Sequence, residues 1–192
     1  MMKKTLLAGL RLIVFMTILT GIVYPLCITG FARIFYDDKA GGSIIEKDGR
    51  ILGSVLIGQQ FDSTIYFHSR PSAVNYQSNP SGGSNLSWTD TRLKELVSNR
   101  KKNFLNANSL NDSAKIPLEM LFASGSGIDP HVSPEAALLQ VERICKVRNF
   151  NSAQRQNLVE VIVKLTEKPQ YSLFGKERIN VFLLNLELDK IQ

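Results

Sequence analysis

Residues 12–32, LIVFMTILTGIVYPLCITGFA, decide how this chain is organised. They are 21 consecutive residues without a charge. As an α-helix rising ~1.5 Å per residue, such a run spans roughly 30 Å, the thickness of a bilayer's hydrocarbon core. Arg11 and Arg33 close it at either end, where their stems lie along lipid and their heads reach water. A cleaved secretory leader has a shorter apolar region, about 7–15 residues, with a small-x-small site after it. Here Arg33-Ile34-Phe35-Tyr36 continues with bulky groups, and Pro25 and Leu26 do not suit Cys27 to lipoprotein acylation. The pattern predicts a retained single-pass anchor: a tail over 1–11, a transmembrane helix over 12–35 and a soluble domain over 36–192. The tail carries Lys3, Lys4 and Arg11 and no acid, which places it in the cytoplasm and the domain outside. Arg33, Lys39, Lys47 and Arg50 lie beyond the span, so a bare count of positive charges does not fix this orientation.

Within the span Thr17, Thr20, Gly21 and Tyr24 share one helix face, and Gly21 and Pro25 interrupt the helix. A stripe of small and hydroxyl residues admits close approach of a neighbouring transmembrane helix. Equally, threonine hydroxyls bond their own helix backbone, and the stripe alone leaves both readings open.

The soluble part is long enough for one domain with a real core. Net charge is +6, but the tail supplies half, leaving 20 basic against 17 acidic residues. Arg100-Lys101-Lys102, the one dense basic run, falls on a predicted helix and reads as a solvated face, so nucleic acid is not an expected partner. Cys27 in the span and Cys145 on a predicted soluble helix cannot pair, and no CxxC or His/Cys set stands at metal-ligand spacing.

Asp37–Gly49 reads as a linker, and Ile51–Ile57 and Thr64–Phe67 as short strands. Arg70–Ser87, rich in Pro, Gly, Ser and Asn, is a long irregular loop of the kind that is either functional or disordered. Helices are predicted over Thr89–Asn106, briefly over Pro117–Phe122, and from Ser133 as N-cap with Ala137, Val141 and Ile144 inward. Another follows Asn151 or Ser152, turning Leu158, Val161 or Ile162, and Leu165 inward; Ile179–Leu188 reads as an apolar strand. The soluble part is thus expected to be α+β with a small sheet.

Ser124-Gly125-Ser126-Gly127 lacks the GxxxxGK[ST] spacing of a P-loop and reads as a turn; Ser81-Gly82-Gly83-Ser84 reads likewise. Ser126, Asp129 and His131 would suit a membrane-anchored extracytoplasmic hydrolase, but all three share one short loop, whereas a triad converges from separate elements. His68 reads either as a ligand or, more commonly for such a position, as a half-exposed residue at a strand end. With two histidines in the chain, a catalytic zinc would need carboxylates that the sequence does not place. Residue chemistry alone favours an interaction subunit over an enzyme.

The loops taken together resemble a known family. The blocks are Gly21-Ile-Val-Tyr-Pro-Leu, Gly53-Ser-Val-Leu-Ile-Gly-Gln, Tyr66-Phe-His-Ser-Arg-Pro-Ser-Ala with Tyr76, and Ser81-Gly-Gly-Ser-Asn-Leu. Ala123-Ser-Gly-Ser-Gly-Ile-Asp-Pro-His-Val-Ser-Pro and Val181-Phe-Leu-Leu-Asn-Leu-Glu-Leu-Asp complete the set. In this order they resemble the C subunit of the Kdp-type potassium-transporting P-type ATPase, a bacterial inner-membrane pump. The resemblance implies a channel-like A subunit that carries potassium, a P-type ATPase B subunit that hydrolyses ATP, and a small membrane F subunit as partners. It implies a non-hydrolytic role in assembly and high-affinity uptake, consistent with the missing DKTGT motif, and no firmly bound cofactor. It further implies that the subunit raises the ATP affinity of the B subunit, with Gln140 matching a nucleotide contact. An external domain and cytoplasmic ATP lie on opposite sides of the membrane, so an ATP effect would be indirect. Expected partner contacts are Thr17, Gly21, Tyr24 and Pro25 in the span. In the domain they are His68, Arg70, Pro71 and Tyr76; Gly82, Gly83 and Asn85; and Ser124, Gly125, Ser126, Gly127, Asp129 and Pro130.

Overall fold

In the computed structural model, residues 2–191 are described, and the chain packs as two units, one up to Ser54 and one from Val55. The first begins with α1 (Met2–Ile18), a π-helical turn over Leu19–Val23, and α2 (Tyr24–Phe35). Together they make one helix of 34 residues, long and apolar enough to cross a membrane, with no residue buried in protein. Residues 2–11 are already helical. Pro25 explains the π turn: it lacks an N–H, and its ring crowds the carbonyl of Gly21 four residues back. Tyr24 N accordingly donates to Leu19 O, five residues back. Thr20 Oγ1 donates to Met16 O at 2.7 Å, so this hydroxyl serves its own helix.

The predicted linker over 37–49 contains structure. After a helical turn, α3 (Asp37–Ala40), β1 (Ile44–Lys47) pairs antiparallel with β2 (Arg50–Ser54). Asp48 and Gly49 have φ of +54° and +72°, the left-handed pair of a two-residue hairpin turn. The strand predicted over 51–57 therefore starts one residue earlier and stops at Ser54.

The second unit holds the core. Its elements are α4 (Thr91–Ala107), a 3₁₀ turn over Leu118–Met120, β3 (His131–Val132), α5 (Pro134–Leu138), α6 (Val141–Arg148), α7 (Ser152–Leu165), β4 (Ile179–Asn180) and α8 (Val181–Leu188). β3 and β4 pair antiparallel, His131 opposite Asn180. The fold is α+β, with two two-stranded sheets among the described residues. Caps fall where the sequence placed them: Ser133 accepts from Ala136 N, and Asn151 and Gln154 form a reciprocal capping box. Ala137, Val141, Ile144, Leu158 and Ile162 are buried, packed with Phe67, Val132, Ile179, Val181, Leu184 and Leu188. Arg100 is half-buried and donates to Leu121 O, while Lys101 and Lys102 face water.

Three expectations are corrected. The helix from Ser133 is two helices, broken at Leu139-Gln140. Residues 179–188 give two residues of strand and then α8, because Asn180 caps a helix by accepting from Leu183 N. This helix is wrapped in core, so its apolar run shows neither period. Thr64–Phe67 is not a strand: it has no strand partner, and side chains from the helices bond its backbone instead.

Candidate functional site

Five polar side chains, from α5–α8 and their joints, hold the segment Thr64–Ser69. Asn185 on α8 accepts from Phe67 N at 2.8 Å through Oδ1 and donates to Phe67 O at 3.0 Å through Nδ2, as a paired strand would. Gln140 repeats this one residue on: Oε1 accepts from His68 N at 2.8 Å, and Nε2 faces His68 O at 3.4 Å. Arg143 on α6 donates to Thr64 O, to Tyr66 O at 3.0 Å, to Gln140 Oε1 at 2.9 Å and to Asn108 Oδ1 at 2.9 Å. Arg148 donates to Ile65 O and to Asp189, whose carboxylate also accepts from Tyr66 Oη. Arg143 is 5 % exposed and meets no carboxylate, and burial lowers its pKa to about 10.

Gln140 is wholly buried, and Nε2 also donates to Ala136 O at 3.2 Å. Its carboxamide is committed to the fold, so a nucleotide could reach it only if Thr64–Ser69 came away. The sequence did not single out Arg143 and Asn185; for Asn185 the available signal was a polar amide inside the apolar run Phe182–Leu186, whereas Arg143, beside Glu142, reads as an ordinary surface charge.

Beyond Ser69 the candidate loops are woven together. Ser124 N donates to Pro71 O, Gly82 N to Ser126 O, and Gly58 N to Ile128 O. Gly127 sits at φ +73° with Val74 and Gly82 where a side chain would go, and a Cβ on Gly58 would lie 2.6 Å from Asp129 O. Tyr76 Oη donates to Arg70 O at 2.6 Å; burial, and then the nearby charge of Asp62, raises its pKa to about 12. Arg70 pairs with Asp129 at 2.7 Å. Burial pushes the Asp129 carboxyl up, but hydrogen bonds from His131 and the charge of Arg70 outweigh it and hold the pKa at about 2.

The structure therefore brings together Arg70, Pro71, Tyr76, Gly82, Gly83, Ser124, Gly125, Ser126, Gly127, Asp129 and Pro130. Pro130 O accepts from Val181 N, tying the set to α8. Asn85 is exposed at φ +51° nearby in sequence. His68 is half-buried, its Nε2 at 3.2 Å from Ser63 O; burial, then the charge of Arg143, lowers its pKa. Thr17, Gly21, Tyr24 and Pro25 lie in the other unit, all exposed on the long helix. Ser126 is exposed and its Oγ accepts from Ile128 N, while the Asp129 carboxylate is committed to Arg70 and His131. Among the described residues, no base is hydrogen-bonded to Ser126. Among the described residues, no group of three or more His, Cys, Asp or Glu is placed to hold a metal ion.

The family model described as KdpC: K+-transporting ATPase, c chain, matches residues 6–190. The chain is 43 % identical over 181 residues to a potassium-transporting ATPase KdpC subunit of Leptospira interrogans, covering 94 % of this chain and 91 % of that one. It is 42 % identical to the subunit of the same description from Koribacter versatilis, covering 100 % and 97 %, and 38 % identical to that of Mycobacterium tuberculosis, covering 99 % and 100 %.

Proposed function

The chain belongs to the family of the c chain of the K+-transporting ATPase, and from that premise we propose that it braces the assembly of a high-affinity potassium uptake complex without hydrolysing anything. It is an accessory subunit of potassium uptake and a component of a complex, not an enzyme by itself. Its proposed partners are a channel-like A subunit, a P-type ATPase B subunit and a small membrane F subunit. The helix Met2–Phe35 is long and apolar enough to cross a membrane; its proposed setting is the bacterial inner membrane, with the tail 1–11 cytoplasmic and residues 36–192 external.

The observation that carries this reading is the interlocked loop surface. Loops that are only connections do not usually fix one another through backbone bonds, a left-handed glycine and an Arg–Asp pair. Loops held on a rigid scaffold are where recognition sits. Residues 70–76, 81–86 and 124–131 are the proposed contact surface. Preorganising them lowers the ordering entropy lost on docking. Gln140, Arg143 and Asn185 act here as positioning residues that fix where Thr64–Ser69 delivers the chain into that surface. Any effect on ATP affinity then passes through the partners.

The test is recovery of the tagged chain from native membranes in mild detergent, with its companions identified by mass spectrometry. Recovery of a channel-like subunit and a P-type ATPase subunit is expected, and growth in low-potassium medium should be lost when the chain is deleted. An intact, folded chain recovered alone would overturn the proposal. The purified chain should show no hydrolase activity for Ser126→Ala to remove, because the Ser126 hydroxyl accepts from Ile128 N and lacks the partners of a nucleophile.

A further inference from the structure

Between α7 and β4 the chain builds an arm that none of the loops above includes. Glu167 and Arg178 pair through their backbones at 2.8 and 3.1 Å and through their side chains at 2.9 Å. Nearer the tip, Gln170 and Phe174 exchange backbone hydrogen bonds, both 3.0 Å, around the three-residue turn Tyr171-Ser172-Leu173. The arm is therefore a hydrogen-bonded hairpin. Its tip carries Tyr171, Leu173 and Phe174 at 88, 79 and 69 % exposure. Tyr171 and Ser172 both take positive φ, +54° and +58°, which side chains other than Gly, Asn and Asp rarely adopt.

We infer that this arm is a second docking element, whose tip seats in an apolar socket on another protein subunit of the transporter. The inference rests on the accessory-subunit reading above and adds a surface to it. Three observations favour a protein occupant over a lipid surface. First, aromatic side chains bury about 150–250 Å² each, so Tyr171, Phe174 and Leu173 supply roughly half of the ~800 Å² a stable interface takes from one partner. Second, a groove of about 670 Å³ lies at the arm's base beside α5, where Pro134, Leu138 and Leu139 supply apolar surface and Glu135, Lys176 and Glu177 supply charge, a mixed lining that a protein side chain fits. Third, the charges beside the tip are mixed. With Glu167 and Arg178 satisfied by each other, Lys168, Lys176 and Glu177 remain, both signs on one rim. Protein interfaces have such rims, whereas anionic lipid is recognised by clusters of basic residues.

The experiment uses the full chain in native membranes. A photo-crosslinking residue placed by Leu173→p-benzoylphenylalanine should give an adduct with a channel-like or ATPase subunit of the transporter. In parallel, Leu173→Asp with Phe174→Asp should lower recovery of those subunits by about tenfold, as loss of buried aromatic anchors does, with the thermal midpoint of the domain unchanged. An adduct to lipid only, no adduct at all, or full recovery of partners by the double variant would each overturn the inference while leaving the accessory role standing. Failure of the wild-type chain to recover any transporter subunit would overturn both.

Discussion

Gly127 has φ +73°, and a Cβ built on it would lie 2.5 Å from Val74 Cγ2 and 2.6 Å from Gly82 O. Gly127→Ala must therefore strain its own backbone and push two loops apart. A loss of about 2 kcal/mol or more is expected in urea denaturation, with weaker recovery of partner subunits. The sequence marked this position as a turn glycine, which was correct, but could not say which loop lay across it. Asp129 shows the same limit. In the sequence it is one of three tempting catalytic residues; in space it is an ion-pair partner of Arg70. Its folded pKa of about 2 lies below the ordinary value of 3.8. The stability it contributes is complete above about pH 4 and is lost as pH falls through 2. That is on the order of 1–2 kcal/mol, read as the difference between acid titrations of the wild type and Asp129→Asn.

Helix ends were the most legible elements, because capping is local chemistry. Asn151→Ala removes the side-chain half of a capping box, leaving the Asn151 N–H bond to Gln154 in place, and should lower stability by about 1 kcal/mol, measured as the shift in thermal midpoint, with Ser133→Ala behaving alike at α5. Strands were least legible. The hairpin of β1 and β2 was announced by Asp48-Gly49, a signal hidden by reading the flanking residues as linker. Thr64–Phe67 carries the β-branched and aromatic residues of a strand, with Phe67 in the core and Tyr66 packed against it. Such composition reports burial, and it is blind to whether a strand or a set of side chains satisfies the backbone. α8 failed in the opposite way: core surrounds it, so only the cap at Asn180 distinguished helix from strand.

At the scale of the whole molecule, membership of a transporter subunit family was legible from ordered blocks spread over the length of the chain, although no single block carries a chemical function. The core packs entirely from residues beyond Val55, among them Phe67, Leu158 and Leu188. A protein beginning at Val55 should therefore unfold in one cooperative transition without detergent, seen as coincident far-ultraviolet and fluorescence melts; non-coincident melts would show that the first unit is needed. The clamp on Thr64–Ser69 also dictates an order of assembly. Its bonds join residues 72 to 118 positions apart, from Phe67 to Asn185 and from His68 to Gln140, and they cannot form before the helices carrying those amides are docked. Locally, among the described residues, the segment has only the Tyr66 N bond to Ser63 O and the side-chain bonds of His68 and Ser69, so the bulk of its backbone pairing closes last. Asn185→Leu, which leaves two buried backbone groups unpaired, should accordingly accelerate unfolding while leaving the folding rate nearly untouched in stopped-flow measurements. The surface that meets the other subunits would then be finished only once the rest of the domain has passed its folding barrier, and a half-folded chain would have nothing to dock with.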